Sequence, residues 1–97
     1  MYGTVARVRI KPGQEQQVIQ VLEDWNRERR PTVNGVVPDY TFKLDSAPSA
    51  LMLVAVFESR EAYRKNAEDP EQDRWYRRLR EHLEADPEWN DGEVVTS

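Results

Sequence analysis

The stretch Leu51-Met52-Leu53-Val54-Ala55-Val56-Phe57 carries no polar side chain over seven positions. A strand with one face in water alternates apolar and polar residues, so a run apolar at both parities describes a central strand covered on both sides. Before it come the loop residues Asp45-Ser46-Ala47-Pro48-Ser49. Earlier still, Val36 to Leu44 alternates, with Tyr40, Phe42 and Leu44 on one side and Asp39, Thr41 and Lys43 on the other. Pro38 has no N–H to give to a ladder, which places that strand at a sheet edge. After the apolar run, Ser59 is set to cap a short helix reaching about Ala67. Asp69-Pro70-Glu71-Gln72 then supplies a capping Asp, Pro at the first helical position and Gln at the third. The helix it starts has an inner stripe of Trp75, Leu79, His82 and Leu83, with Arg77, Arg78, Arg80 and Glu81 mostly toward water. Asp86-Pro87 ends it, Asn90-Asp91-Gly92 reads as a turn, and Glu93 to Thr96 as a short final edge strand.

Toward the N-terminus, Tyr2, Thr4, Ala6, Val8 and Ile10 share one face of a first strand and Val5, Arg7 and Arg9 the other. Lys11-Pro12-Gly13 breaks it. A helix from Gln14 to about Arg29 follows, with Val18, Ile19, Val21, Leu22 and Trp25 at helical spacing, and Pro31 to Gly35 forms the next connection. The order strand, helix, strand, strand, helix, strand is the ferredoxin-like split βαβ arrangement, an α+β fold with helices on one face of an antiparallel sheet. Either Leu51/Leu53/Ala55/Phe57 or Met52/Val54/Val56 is then left on the face without helices. A bare apolar face is a large exposed patch, so a second copy of the chain is expected to cover it as a homodimer.

A length of 97 residues suits one domain, spanning 1–97, and 38 % hydrophobic with 33 % charged residues suits a soluble one. The net charge of −4 opposes a broad phosphate-binding surface, so no nucleic-acid partner is expected. Arg27, Arg29 and Arg30 cluster where cations complement a helix C-terminus. No apolar stretch reaches membrane-spanning length and no signal peptide precedes the first strand, so the expected location is cytoplasmic, without a membrane partner. The chain has no cysteine and one histidine, His82, so thiolate chemistry is excluded and no metal site is expected. The four glycines are scattered and form no phosphate loop.

Two segments carry a family likeness. Val8-Arg9-Ile10-Lys11-Pro12-Gly13-Gln14-Glu15 spans the first strand-to-helix junction, and Val56-Phe57-Glu58-Ser59-Arg60-Glu61-Ala62-Tyr63-Arg64 follows the apolar strand. Together they resemble the antibiotic biosynthesis monooxygenase family of small dimeric α+β-barrel proteins. The resemblance implies that fold and a set of activities that includes cofactor-independent oxygenation of polycyclic phenols or hydroquinones, quinol oxygenation and haem degradation. It places Tyr63 at an aromatic lining the pocket between sheet and helices. It puts Phe57 where such oxygenases can carry Trp, Leu53 where a polar Asn can stand, and Asn66 where many relatives have His. The haem-degrading branch uses an Asn on the first strand, where this chain offers Thr4, Arg7 and Arg9.

A pocket lined by aromatics with a few polar groups is the usual form of a small-molecule site. Tyr63 and His82 are the candidate catalytic residues, and Trp25, Phe57, Asn66, Trp75 and Tyr76 the candidate substrate-binding ones. Histidine changes charge near neutrality and suits a base, and a tyrosine can hydrogen-bond a phenolate oxygen. The same residues have plainer uses: His82, Trp25 and Trp75 as core, Tyr63 as a packed ring with a bonded tip, Asn66 as a helix cap. The expected function is cofactor-independent monooxygenation of an aromatic or quinol-like molecule, with no cofactor implied. The alternative is a noncatalytic dimeric module that binds a small aromatic or apolar ligand or assists a pathway.

Overall fold

The computed structural model describes residues 1–37 and 39–97. Its elements are β1 (Tyr2–Arg9), α1 (Glu15–Asp24), β2 (Tyr40–Lys43), β3 (Ala50–Phe57), α2 (Arg60–Ala67), α3 (Pro70–Arg80) and β4 (Glu88–Glu93). A π-helical turn over Trp25–Arg29 and a 3₁₀ turn over Arg30–Thr32 extend α1. The four strands form one antiparallel sheet in the order β2-β3-β1-β4, the ferredoxin-like topology expected from the element order. The apolar run is central, paired with β1 from Tyr2 opposite Phe57 to Arg9 opposite Ala50, and with β2 on its other side. The expectation drawn from Pro38 lies outside the described residues, but β2 is an edge strand by its place in the order.

Residues directly opposite each other in an antiparallel pair share a face, and the burial of β1 says which face meets the helices. Thr4, Ala6 and Val8 are buried while Val5, Arg7 and Arg9 are exposed. Leu51, Leu53, Ala55 and Phe57 therefore face the helices, and Met52, Val54 and Val56 are the set on the open face. Tyr40 stands opposite Val54 and Phe42 opposite Met52, so the aromatic side of β2 also points away from the helices. Tyr40 is 61 % exposed and Phe42 54 %.

The core lies on the helix side toward the C-terminal end of β1. Val8 and Ile10 pack there with Val18 and Val21 of α1, Leu51 of β3, and Leu79 and Leu83. The starts of α2 and α3 follow the sequence chemistry, whereas α1 begins without a side-chain cap. Ser59 Oγ accepts from Ala62 N at 3.1 Å ahead of α2, and Asp69 Oδ1 accepts from Glu71 N at 2.9 Å ahead of α3, whose first residue is Pro70. Gly35, at φ 79°, makes the turn after the 3₁₀ segment, and a Cβ there would sit 2.9 Å from Ala62 Cβ.

Three expectations change. The first helix is not α-helical throughout, because its last turn widens into the π form at Trp25. The strand expected over Val36 to Leu44 contracts to Tyr40–Lys43, with Val36 making only an isolated bridge to Phe57. The last strand begins at Glu88 and runs through Asn90-Asp91-Gly92, which were expected to turn. Pairing with β1 overrides the local turn preference there. Asn90 Nδ2 donates to Val5 O at 3.1 Å and to Glu88 O at 3.2 Å, so its side chain is engaged across the strand pair. Gly92 meets Gly3 across the same pair.

Gly3 sits where β1 runs close against β3, and a Cβ added to it would collide with the Ala55 carbonyl oxygen. Since that oxygen is backbone, it cannot swing aside as a side chain does. Gly3→Ala is therefore expected to lower stability by about 1–3 kcal/mol, the usual cost of overpacking. Urea unfolding of the variant beside the parent measures it.

Candidate functional site

The helices cover the sheet unevenly. Near Val8 and Ile10 they pack on it directly, whereas over Thr4, Leu53 and Ala55 a cleft opens between sheet and helices. Val21, Leu22 and Trp25 form one wall, Trp75, Tyr76 and Leu79 of α3 the other, and Trp89 of β4 closes one side. The enclosed space of the cleft is about 140 Å³, smaller than the usual small-molecule pocket, and it opens to solvent at its mouth. Its polar groups are few: Thr4, Asn26, Asp39, Thr41 and Gln72.

Side-chain ties hold the walls. The π turn carries Trp25 toward α3, where its indole Nε1 donates to Gln72 Oε1 at 2.9 Å. Tyr76 and Trp89 stack at 6.3 Å between ring centroids. The Arg78 guanidinium lies 4.2 Å from the Trp75 ring centroid and reaches Asp24 at 3.0 Å, joining α3 to the end of α1. Asp24 also accepts from Gln20 at 2.8 Å and Arg27 at 2.6 Å. These donors, Gln20 first and then Arg78, hold its carboxyl below the usual carboxylate range.

Trp25, Trp75 and Tyr76 thus come together around one cleft, as the aromatic pattern implies. Phe57, Asn66, Tyr63 and His82 are not among the residues that line it. Phe57 is buried and stacks edge-on against Tyr63 at 5.5 Å, and Tyr63 also packs on Tyr2 at 5.3 Å. The Tyr63 hydroxyl donates to Asp91 Oδ1 at 2.8 Å. Burial, and then that carboxylate, push the Tyr63 phenol up to about 12, while the nearby Thr4 hydroxyl opposes this weakly. Only about one Tyr63 in 10⁵ is ionised at neutral pH with such a value, so its chemistry is that of a donor and not of a base.

His82 sits just past the end of α3. Its Nδ1 is 2.8 Å from Gln14 Oε1, and its carbonyl accepts from Lys11 N at 3.0 Å. Tyr63 packs on the first residue of β1 and His82 lies beyond the last, a separation of about 25 Å at roughly 3.3 Å per strand residue. The two candidate catalytic side chains are therefore not brought to one place. Helix periodicity aligned His82 with Trp75, but the helix ends at Arg80 and the chain turns away.

Asn66 belongs to a separate cluster. Arg29 is only 8 % exposed, and its Nη2 donates to Asn66 Oδ1 and to Asp69 Oδ2, both at 3.0 Å. The arginine expected to complement a helix end is instead the bolt between the π turn and the α2–α3 junction. The Glu71 amide first, and then Arg29, keep the Asp69 carboxyl below its ordinary range. On the outer side of α3, Arg77 pairs with Asp73 and Arg80 with Asp86, each at 2.8 Å.

Trp89 and Thr4 were not singled out as site residues. Trp89 was hidden because the turn residues after it masked β4; strand alternation begun at Glu88 puts it on the helix side with Asp91. Thr4 was visible as a polar residue on the inward face of β1, a signal in itself. Among the described residues, no group of three or more His, Cys, Asp or Glu side chains converges as a metal site, and no helix is long and apolar enough to cross a membrane.

The family model for antibiotic biosynthesis monooxygenases matches residues 1–78, from β1 through the walls of the cleft. The chain belongs to that family. Solved structures agree in fold. A Caulobacter crescentus protein named for the same family superposes at TM-score 0.87 with 12 % identity, covering 98 % of this chain and 90 % of the other. A conserved protein from Methanosarcina mazei gives 0.84 with 15 % identity over 94 % and 89 %. One from Mycobacterium tuberculosis gives 0.83 with 14 % identity over 99 % and 96 %. At such identities the likeness establishes the family's fold. Among curated proteins, none matches the sequence.

Tyr63 is expected to titrate near pH 12 in phenolate absorbance, and Tyr63→Phe to remove that step. Because its folded value lies above the ordinary 10, the unfolded chain loses this proton first as pH rises. The stabilisation is complete below about pH 10 and fades as pH rises through about 12, so Tyr63→Phe flattens that part of the stability curve.

Proposed function

We propose that the chain is a monooxygenase of the antibiotic biosynthesis monooxygenase type, acting without a bound cofactor on an electron-rich aromatic or quinol-like molecule held in the Trp25/Trp75/Trp89 cleft. The observation that carries the reading is the cleft itself: flat indole walls over an apolar floor, in a chain of this family. Aromatic rings favour offset or edge contact with such walls. In the proposed reaction an activated ring carbon loses a proton and the resulting carbanion or phenolate reacts with dioxygen. One oxygen atom ends as a carbonyl on that carbon and the other leaves as water. The protein binds and orients the ring and limits water around it.

Neither candidate catalytic residue lines the cleft; Tyr63 is the nearer, because its hydroxyl lies beside Thr4, which does. Its one proton is held by Asp91 and its proton affinity is raised, so it does not serve as the base that takes the substrate's proton. His82 stands outside the cleft. The second reading, a noncatalytic module for a small aromatic ligand, is favoured by Leu53 and Ala55, which leave the floor without a polar group at either position.

Oxygen uptake by the metal-free protein with anthrones, naphthols and hydroquinones, corrected for spontaneous oxidation, separates the two. Protein-dependent uptake with an oxygenated product is expected. Ala55→Phe, which fills the cleft from its floor, is expected to abolish that uptake, and His82→Ala to leave it unchanged. Saturable binding with no uptake would favour the module.

We also propose that two copies of the chain pair through the open sheet face. Val5, Tyr40, Phe42, Met52 and Val54 are contiguous there by strand register. An apolar side of β2 turned away from its own helices gains nothing from the monomer's core. Sedimentation equilibrium is expected to give twice the chain mass, and Phe42→Glu to shift it toward one chain by placing charge in a desolvated contact. A parent protein that sediments as one chain at micromolar concentration would remove the dimer.

A further inference from the structure

We infer that the Gln72 side-chain amide is the polar anchor of the cleft, its Nε2 donating a hydrogen bond to a carbonyl oxygen carried by the aromatic ligand. This rests on the cleft being an aromatic-ligand site, and it names the residue that reads the ligand's oxygen. Gln72 is half-buried and lines the cleft. It stands three and four residues before Trp75 and Tyr76, on the face of α3 that forms the cleft wall. Local chemistry offers it a different task, since a glutamine at the third helical position can reach back to the backbone N–H of the capping residue. Here the Asp69 N–H donates to Asn66 O at 3.1 Å instead, and the Gln72 side chain meets Trp25.

That contact decides which end of the amide is free. An indole N–H can only donate, so it must meet Oε1, at 2.9 Å, and Nε2 is left with its donors. Among the described residues Nε2 reaches no protein acceptor, and it is not sealed from solvent as the Thr4 hydroxyl oxygen is. The other polar groups of the cleft are less suited. The Thr4 hydroxyl lies beside that of Tyr63, Asn26 and Thr41 are exposed, and Asp39 is ion-paired with Arg30 at 3.5 Å. An amide N–H donates and cannot accept, so the group it recognises is an acceptor oxygen on a flat ring, the carbonyl of an aromatic ketone or quinone. In the proposed reaction the ring carbon beside such a carbonyl loses its proton and negative charge moves onto the oxygen, where a positioned donor stabilises it. The apolar walls hold the ring, and the amide orients it.

Equilibrium dialysis with 1-indanone and indane, flat bicycles that differ by the one oxygen, tests the assignment in the parent, Gln72→Glu and Gln72→Met. At about pH 8 the carboxylate of Gln72→Glu is ionised, so it still accepts from the Trp25 indole but has no N–H to give. The affinity ratio of indanone to indane is expected to fall about three- to tenfold in Gln72→Glu, the worth of one neutral hydrogen bond, and about as far in Gln72→Met, which removes both ends of the amide. An unchanged ratio in either variant overturns the anchor while leaving the aromatic cleft standing. A fall in Gln72→Met alone would trace to the loosened Trp25 and not to the donor. If neither compound binds the parent, the cleft is not an aromatic site and the anchor falls with it.

Discussion

Covering β3 is the constraint from which the rest of this structure follows. Its eight apolar residues are divided between two sheet faces by the two-residue period of a strand, and the chain supplies helices for only one of them. On that face α1 and α3 pack over Leu51 with Val8 of β1 and Ile10 just past its end, and the core closes around Leu83. The other face keeps Met52, Val54 and Val56, bordered by Val5, Tyr40 and Phe42. The β2 strand makes the asymmetry plain. Its aromatic residues follow β3's open face, and its polar residues Thr41 and Lys43 point to the helix side.

The cleft is a consequence of incomplete closure on the helix side. Where residues at the sheet are long and branched, as at Val8, Leu51 and Ile10, the helices reach the sheet. Over Thr4, Leu53 and Ala55 they stand off it. Large aromatics then border the space instead of filling it. Trp25 and Trp75 are amphipathic enough for this, each with an apolar ring surface and a polar contact available. Trp25 uses its N–H on Gln72, and Trp75 takes the Arg78 guanidinium on its face.

Arg29 and Arg78 show how charge substitutes for apolar area in a small domain. Arg78 joins α3 to the end of α1 through Asp24, and Arg29 joins the π turn to Asn66 and Asp69 at the α2–α3 junction. A buried guanidinium is tolerable because its planar fork reaches several acceptors at once. Both contacts lie at element ends, where the backbone changes direction and few apolar side chains meet. The walls of the cleft are held by these ties, so its shape depends on residues that never touch its contents.

The sequence by itself determined the element order, the central place of the apolar run, the capped starts of α2 and α3, and the family likeness at Phe57 to Arg64. Each is written in neighbours a few positions apart, through strand alternation, helical spacing or the chemistry of a cap. Trp25 and Trp75 as cleft residues were legible for the same reason, since helical spacing already turned them inward. Only the tertiary structure decided the rest. That Tyr63 spends its proton on Asp91, that His82 meets Gln14 beyond the helix end and that Arg29 is buried against Asn66 all depend on residues 28 to 68 positions apart in the chain meeting. The last strand states the physical reason most simply. Asn90-Asp91-Gly92 prefers a turn on local grounds, yet it is extended because β1 offers a ladder of hydrogen bonds that a turn could not match.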